Sequence, residues 1–134
     1  MSGIVTVYAT FASDEEARRV ARTLVEERLA ACANILGACH SIYRWQGAVE
    51  EAGEVATLFK TRSDLADALI ARLAELHSYD VPAAVAWPIV QSPAAYREWV
   101  ESETKDASGS ASPRPPRHPP PAARRGPPSR QAAS

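Results

Sequence analysis

The sequence predicts an α+β domain in which a four-stranded antiparallel sheet carries two helices on one face. Strand-type and helix-type patterns follow one another in the order β-α-β-β-α-β, and a short third helix comes last. The composition changes sharply near Thr104, where apolar residues give way to proline and arginine. We therefore expect one domain over residues 1–104 and a tail over residues 105–134 that is predicted to be disordered.

The first strand and the first helix have clear local signals. Ile4–Phe11 is rich in residues that favour strands. Ser13 followed by Glu16 matches a capping box, which favours a helix start at this point. The helix is expected to run to about Ala31, with Arg28 unexpectedly placed on its apolar face. The apolar residues of that face recur at helical spacing: Ala17, Val20, Ala21, Leu24 and Val25.

A long β-hairpin is predicted in the centre of the chain. Ile35–Trp45 and Val49–Thr61 are expected to pair as antiparallel strands joined by a tight turn at Gln46-Gly47. Glycine inside a strand often marks a bulge, so bulges are predicted near Gly37 and Gly53.

The tip of this hairpin carries large aromatic side chains. Because strand side chains alternate, Tyr43 and Trp45 should share one face, and Ile42 and Arg44 the other. Such a tip is costly to leave in water, so we expect it to lie against another subunit or a ligand. The aromatic residues are predicted to anchor an interface rather than to stack on nucleic acid bases, which would need a basic surface.

The second helix and the fourth strand follow the hairpin. Ser63 or Asp64 is predicted to cap the helix. His77–Pro82 should end it, because proline cannot continue a helix. Ala83–Val90 is the predicted fourth strand, and Pro88 favours an edge position or a strand end. Four leucines at helical spacing should face the sheet: Leu65, Leu69, Leu73 and Leu76.

The last helix is expected to start at Ser92-Pro93, a cap followed by a proline in the first turn. An apolar stripe on this helix is formed by Tyr96, Trp99 and Val100. No internal repeat of fixed period is visible, although the two halves share the strand-helix-strand order.

Charge divides the chain into two unequal parts. Residues 105–134 hold six basic residues against Asp106 alone, a net charge of plus five, whereas residues 1–104 hold nine basic and fifteen acidic residues, a net charge of minus six. An acidic domain argues against a nucleic acid partner and is compatible with attracting cations. The tail holds eight of the eleven prolines and is predicted to be a solvated appendage rather than a ligand for a proline-binding groove or an acidic partner.

The two cysteines and the motifs that the sequence lacks indicate the compartment and the class of protein. Cys32 and Cys39 lie too far apart along one strand to bridge easily, so they are predicted to be reduced and the protein to be cytoplasmic. A signal-type segment and a long apolar run are both missing, so neither secretion nor membrane insertion is expected. The familiar hydrolase, P-loop and zinc-protease motifs are missing too, which predicts a protein that is not an enzyme and requires no cofactor.

Five segments together resemble the CutA family of divalent-cation tolerance proteins. They cover about residues 3–104 in the family's order: ERLAACAN (27–34), SIYRWQGAVEE (41–51), FKTR (59–62), LHSYDVPA (76–83) and YREWV (96–100). The resemblance implies a ferredoxin-like fold assembled as a homotrimer, in which each hairpin extends a neighbour's sheet. It also implies a response to divalent metal ions and weak binding of copper. Because the family is similar in architecture to PII-type signalling proteins, the alternative is a small-ligand sensing trimer with a cleft between subunits.

His77 and Asp80 are the candidate metal ligands. An imidazole and a carboxylate suit Cu(II) or Zn(II) if a neighbouring subunit supplies further donors. The competing interpretation is that His77 caps the end of the second helix. Two departures from the family weaken the metal site: residues 7–11 contain no thiol, and Ala83 stands where the family favours glutamate. The carboxylates after the turn are expected to be solvated rather than to hold a hard cation: Glu50, Glu51 and Glu54.

Three basic residues stand at positions that indicate a role other than simple exposure to solvent: Arg28, Arg44 and Lys60. They are predicted to line an anion pocket between subunits or to form interface ion pairs with Glu27, Glu50 or Glu51, and the ion pairs are the favoured interpretation. The aromatic residues expected in the same cleft or interface are Tyr43, Trp45 and Tyr79.

Overall fold

A computed structural model describes residues 3–105, and the predicted tail therefore lies almost wholly outside the described residues. The elements in chain order are β1 (Ile4–Phe11), α1 (Asp14–Glu26), β2 (Cys32–Trp45), β3 (Ala48–Arg62), a 3₁₀ turn (Ser63–Leu65), α2 (Ala66–Leu76), β4 (Ala84–Pro88) and α3 (Ala94–Glu103). The four strands pair antiparallel in the spatial order β2-β3-β1-β4. The predicted α+β class, element order and antiparallel sheet are confirmed.

The hydrophobic core fills the space between the helices and one face of the sheet. Alternate side chains of β1 and β3 meet the apolar stripes of α1 and α2 there. The largest fully buried members of this cluster are Phe11, Leu24, Phe59, Leu69 and Leu73. Each such side chain contributes about 1.5–3 kcal/mol through its burial, so this covered face holds the domain together. Val25 was predicted to lie on the apolar face of the first helix, but it is 36% exposed and does not belong to the core.

The β2–β3 hairpin extends well beyond β1. The last residue of β1, Phe11, pairs with Val55, whereas β2 and β3 continue in register to Trp45 and Ala48. Residues 39–54 therefore form a two-stranded arm that the helices do not cover. At its tip Gln46 and Gly47 both have positive φ, 51° and 88°, as the predicted tight turn between twisted strands requires.

The two bulges predicted in the hairpin have different outcomes. The register shifts between Ile35 and Gly37, and Gly37 has a φ of 109°, so the first bulge is confirmed. Gly53 pairs regularly with His40, so the prediction of a bulge there is wrong.

The first helix ends five residues earlier than predicted, at Glu26 rather than Ala31. Arg28 has a φ of 64°, and its N–H bonds to the Val25 carbonyl while the Leu29 N–H bonds to the Leu24 carbonyl. This pair of hydrogen bonds is the Schellman arrangement that closes a helix, usually with glycine at the left-handed position. Because arginine occupies that position, the sequence carried no stop signal.

The caps predicted for the later helices are also wrong. Asp64 forms two hydrogen bonds with Arg62, at 3.0 and 2.9 Å, and α2 begins through the 3₁₀ turn without a side-chain cap. The residue that precedes α3 is Pro93, again without a side-chain cap, while Ser92 bonds to the Pro93 carbonyl.

Candidate functional site

An open cavity of about 470 Å³ lies on the uncovered face of the sheet, where the arm leaves the body of the domain. Its walls come from β1, from both strands of the arm and from the loop that follows α2. The residues that matter chemically are four aromatic side chains and two carboxylates: Tyr8, Tyr43, Trp45, Tyr79, Glu54 and Asp80. The cavity therefore combines apolar walls with a negative charge.

His77 fixes the loop that forms one wall of the cavity. Its ring stacks on Phe11 at 4.7 Å between centroids, and its side chain is fully enclosed. Nε2 lies 2.7 Å from the Thr10 carbonyl oxygen, and Nδ1 lies 3.1 Å from the Tyr79 backbone nitrogen. Because a carbonyl only accepts and an amide only donates, this pairing requires the neutral ring with its proton on Nε2. Both nitrogens are thus used in fixing the loop.

The carboxylate of Glu16 fastens the same loop to the start of α1. It accepts hydrogen bonds from the Ser78 backbone N–H at 2.7 Å, from the Ser78 hydroxyl at 3.0 Å and from the Ala12 N–H at 3.3 Å. Burial opposes ionisation, but the hydrogen bonds from Ser78, the nearby His77 ring and the hydrogen bond from Ala12 together outweigh it, so the pKa of Glu16 lies below its usual value. The capping box is only half formed, because Ser13 accepts from the Glu16 N–H while the carboxylate serves the loop instead.

Glu54 stands at the base of the arm, and two neutral donors hold its carboxylate. The Ser41 hydroxyl donates to Oε1 at 2.6 Å, and the Tyr79 hydroxyl donates to Oε2 at 2.8 Å. Burial and the hydrogen bond to Glu54 raise the pKa of Tyr79 to about 12, so the phenol stays protonated and remains a donor. These two contacts hold the Glu54 carboxylate in place, and neither donor carries a positive charge that would neutralise it.

The structure brings four of the predicted site residues to one place: Tyr43, Trp45, Tyr79 and Asp80. Tyr43 and Trp45 share the face that lines the cavity, as strand alternation predicted. Asp80 is exposed and has no ion-pair partner among the residues that the structure describes.

Within one chain, the donors do not fit a resident metal ion. His77 has both ring nitrogens engaged and no exposed side-chain surface, so it could bind a metal only after the loop rearranged. Across residues 3–105, no three His, Cys, Asp or Glu side chains come close enough together to hold a metal ion. The interpretation of His77 as a structural residue at the end of α2 agrees better with this geometry, although its ring bonds to Thr10 and Tyr79 rather than to the helix carbonyls.

The three predicted cations do not meet within one chain. Arg28 donates to the Ser102 carbonyl at 3.1 Å, near the end of α3. Lys60 donates to the Asn34 side chain at 2.9 Å, on the body of the sheet. Arg44 lies on the face of the arm opposite Tyr43 and Trp45. No anion pocket forms from them here.

Two of the three predicted ion-pair partners of these cations, Glu27 and Glu51, are engaged elsewhere. Glu27 forms a two-bonded pair with Arg72, at 2.9 and 2.8 Å. Glu51 bonds to His40 at 2.7 Å.

Four residues that shape the site were not among the predicted site residues: Tyr8, Glu16, Ser41 and Glu54. Each acts through a contact between segments far apart in the sequence, such as the 62 positions between Glu16 and Ser78. Usable signals existed for two of them: strand alternation places Ser41 on the same face as Tyr43, and Glu54 belongs to the cluster of carboxylates that follows the turn.

Comparison with known proteins gives a consistent family. The profile of the family described as "CutA1 divalent ion tolerance protein" matches residues 5–103. The divalent-cation tolerance protein CutA of Pyrococcus horikoshii is 43% identical over 102 residues, which cover 76% of this chain and 99% of that protein. The crystal structure titled as the periplasmic divalent cation tolerance protein CutA of Archaeoglobus fulgidus matches with a TM-score of 0.70 and 36% identity, covering 72% of this chain and 94% of that one.

A longer relative shows that the length and the compartment vary. The chloroplastic protein CutA 1 of Oryza sativa is 37% identical over 103 residues, which are 77% of this chain but only 58% of the rice protein. The names of these relatives therefore include both a chloroplast and a periplasm. Among residues 3–105 of this chain, no helix is long and apolar enough to cross a bilayer.

Proposed function

This chain belongs to the CutA1 divalent ion tolerance protein family, and we propose on that premise that it is a homotrimer that takes part in the response to divalent metal ions. The observation that carries the proposal is the family match over nearly the whole described chain. The family is one of non-enzymatic tolerance proteins, which agrees with the prediction that the chain is not an enzyme.

The uncovered apolar surface supports assembly with further copies of the chain. Several large apolar side chains of the arm and of β4 are at least 46% exposed: Ile42, Trp45, Val49, Val85 and Trp87. The two outer strands, β2 and β4, also leave backbone donors and acceptors unpaired at the sheet edges. Burying both features between copies would remove these apolar side chains from water and pair the open edges of the sheet.

Sedimentation velocity tests the trimer. Wild-type protein is expected to sediment at three times the chain mass of 14.4 kDa across the micromolar range. Trp45→Ala should lower the trimer fraction, whereas Arg18→Ala, on the exposed side of α1, should leave it unchanged. A well-folded wild-type monomer at micromolar concentration would contradict the proposal.

Copper(II) or another divalent cation is proposed as a weakly held ligand rather than a required cofactor. Of the two candidate ligands, Asp80 is exposed, whereas His77 would need the loop to rearrange before it could contribute. Calorimetric titration with Cu(II) and Zn(II) should therefore give weak binding that Asp80→Asn reduces and Asp67→Asn, on α2, does not. Tight binding that is lost in His77→Ala, with the fold retained, would show that His77 is a ligand after all.

A second candidate function is small-ligand sensing, and the cavity at the base of the arm is the observation that favours it.

A cytoplasmic location is proposed from the cysteines, both of which are free. The acidic domain supports the proposal that neither nucleic acid nor a membrane is a partner.

A further inference from the structure

We propose that Arg44 of a neighbouring copy of this chain enters the cavity at the base of the arm and pairs with Glu54. This inference deepens the proposed homotrimer and rests on it, because the neighbouring copy supplies the cation that the cavity lacks. It also makes a second copy of the chain, rather than a free small molecule, the occupant of the cavity.

The cavity holds negative charge that one chain does not compensate. Glu54 and Asp80 line it, and no Lys, Arg or His is among its described lining residues. The two donors to Glu54 are the neutral hydroxyls of Ser41 and Tyr79. When a neighbouring copy covers this surface in the proposed trimer, an unpaired carboxylate would be removed from water at a high cost in free energy. The covered cavity therefore requires a cation from outside its own chain.

The acceptor positions that remain on Glu54 match a guanidinium group. A carboxylate has about four acceptor positions, and Ser41 and Tyr79 each occupy one, on different oxygens. Each oxygen therefore keeps a free position, which is what a two-bonded pair with arginine needs. The rings of Tyr43 and Trp45 line the same cavity, and arginine also stacks on aromatic faces. An arginine thus suits both the charge and the walls of the cavity.

Arg44 is the cation that the arm offers to a neighbour. It is the one lysine or arginine in residues 39–54, and it is exposed. Within residues 3–105, no hydrogen bond or ion pair engages its side chain. On the same face lie Ile42 and its cross-strand partner Val49, which are 65% and 62% exposed. An arginine between two uncovered apolar side chains is typical of the centre of an interface rather than of a solvated surface.

Arg44 cannot reach Glu54 within its own chain. Glu54 pairs with Cys39, five residues before Arg44, so the two positions lie about 16 Å apart along the arm. Strand alternation also places them on opposite faces. A contact between them therefore joins two copies, the tip of one arm meeting the base of another. In a ring of three, each copy would give one Arg44 and receive one.

Co-expression of two complementary variants tests this pairing. Arg44→Gln chains keep the carboxylate and Glu54→Gln chains keep the arginine, so a mixed ring regains one contact and a ring of either variant alone has none. An affinity tag on one variant makes its mass distinct, and native mass spectrometry counts the trimers. Random mixing of equal amounts gives roughly three mixed trimers for each pure one. We expect an excess of about fivefold or more over this ratio, as one recovered charge pair predicts.

Control mixtures set the baseline and test rival partners. Tagged and untagged wild-type chains should mix at random, and so should tagged and untagged chains that carry both Arg44→Gln and Glu54→Gln. Arg44→Gln mixed with Glu50→Gln or with Glu51→Gln should give no excess of mixed trimers, because neither of these glutamates is the proposed partner.

Sedimentation equilibrium in increasing urea measures the strength of the same contact. Each single variant should dissociate at a lower urea concentration than wild type. The Arg44→Gln/Glu54→Gln double variant should dissociate no earlier than the weaker single variant, because both changes remove one contact. Arg44→Glu, which brings a third carboxylate to the cavity, should abolish the trimer. Its fold should survive, as circular dichroism can check, because Arg44 has no partner within its own chain.

Several results would overturn the proposal. One is a random ratio in the mixture of Arg44→Gln with Glu54→Gln, as expected if a free cation or the C-terminal segment occupies the cavity. Others are an excess of mixed trimers with Glu50→Gln or Glu51→Gln, additive losses in the double variant, and a trimer that persists in Arg44→Glu. In all of these the wild type still sediments as a trimer, so the proposed assembly stands while this inference fails. A monomeric wild type would remove both.

Discussion

The two faces of the sheet carry similar aromatic side chains but differ in how far those side chains are buried. On the face under the helices, Phe11 and Phe59 are fully buried, and their rings meet edge to face at 6.5 Å. On the other face, Tyr8 stacks on Trp87 at 5.8 Å, yet Trp87 remains 46% exposed. The chain thus completes one apolar surface by itself and leaves the second incomplete. Stability is concentrated on the first face, and the candidate site lies on the second.

The strongest way to break this comparison is to truncate one aromatic residue on each face. Phe59→Ala should lower the free energy of unfolding by about 3–5 kcal/mol, because it leaves a cavity in the core. Trp87→Ala should cost clearly less within one chain, since half of its surface is already in contact with water. Denaturant titration at a fixed chain concentration measures both. Equal losses would show that the second face is as complete as the first.

Substitutions at Gly37 and at Gly53 probe the part of the hairpin where the body of the sheet passes into the arm. Gly37→Ala should destabilise the protein by about 1–3 kcal/mol, because an alanine is strained at a φ of 109°. Gly53→Ala is the matched control, because Gly53 lies in the regular ladder and an added Cβ meets no atom within 4 Å. Thermal melting of the two variants gives the comparison. A harmless Gly37→Ala would mean that the bulge is not required.

Glu16 links the two faces, because it anchors the loop that carries Tyr79 to the cavity. Glu16→Gln should cost about 1–2 kcal/mol at neutral pH, as expected for the loss of charge-assisted hydrogen bonds from Ser78. The pKa of Glu16 is lower in the folded than in the unfolded protein. Its stabilisation is therefore complete above the unfolded pKa, about 4.3, and is lost as the pH falls through the folded pKa.

Melting curves from pH 7 to pH 2 measure this linkage. The difference between wild type and Glu16→Gln should narrow as the solution is acidified. A constant difference over the whole range would show that the charge of Glu16 contributes nothing.

The smallest expected effect comes from residues 106–134. Their deletion should leave the melting temperature and the oligomeric state nearly unchanged, because both faces of the sheet lie within residues 3–105. Differential scanning calorimetry and sedimentation of the shortened chain check this. A large change in either would assign the tail a structural role.

Local patterns were sufficient to predict the fold. The strand-favouring residues of Ile4–Phe11, the spacing of Leu65, Leu69 and Leu73, and the Gln46-Gly47 turn each act over a few residues, and the structure confirms all three. The errors arose where a side chain bonded to a partner other than the expected one, or where an unusual residue took a special backbone conformation. Asp64 forms a hydrogen bond with Arg62 instead of capping a helix. Arg28 takes the left-handed conformation after α1, at a position where glycine usually stands and marks the helix end in the sequence.

The candidate site was harder to predict for the same reason. Tyr43 and Trp45 were identified because strand alternation alone places these two large aromatic side chains on one face of the hairpin tip. The role of Glu54 depends on Ser41 across the hairpin and on Tyr79 from a loop 25 residues away. His77 as a metal ligand stays a prediction, and its role in fixing the loop was missed because both of its hydrogen-bond partners are backbone groups, which no side-chain pattern reveals.

The unusual end of α1 also decides where the C-terminus leaves the domain. The Arg28 side chain holds the Ser102 carbonyl, and the Arg28 carbonyl accepts from the Lys105 N–H at 2.9 Å. This anchor lies beside the start of β2, about 40 Å along that strand from Trp45. A fluorescent protein or an affinity tag fused directly behind Lys105, in a chain shortened to that residue, would therefore start from the end of the domain remote from the aromatic tip. Such a label should report on assembly without obstructing it.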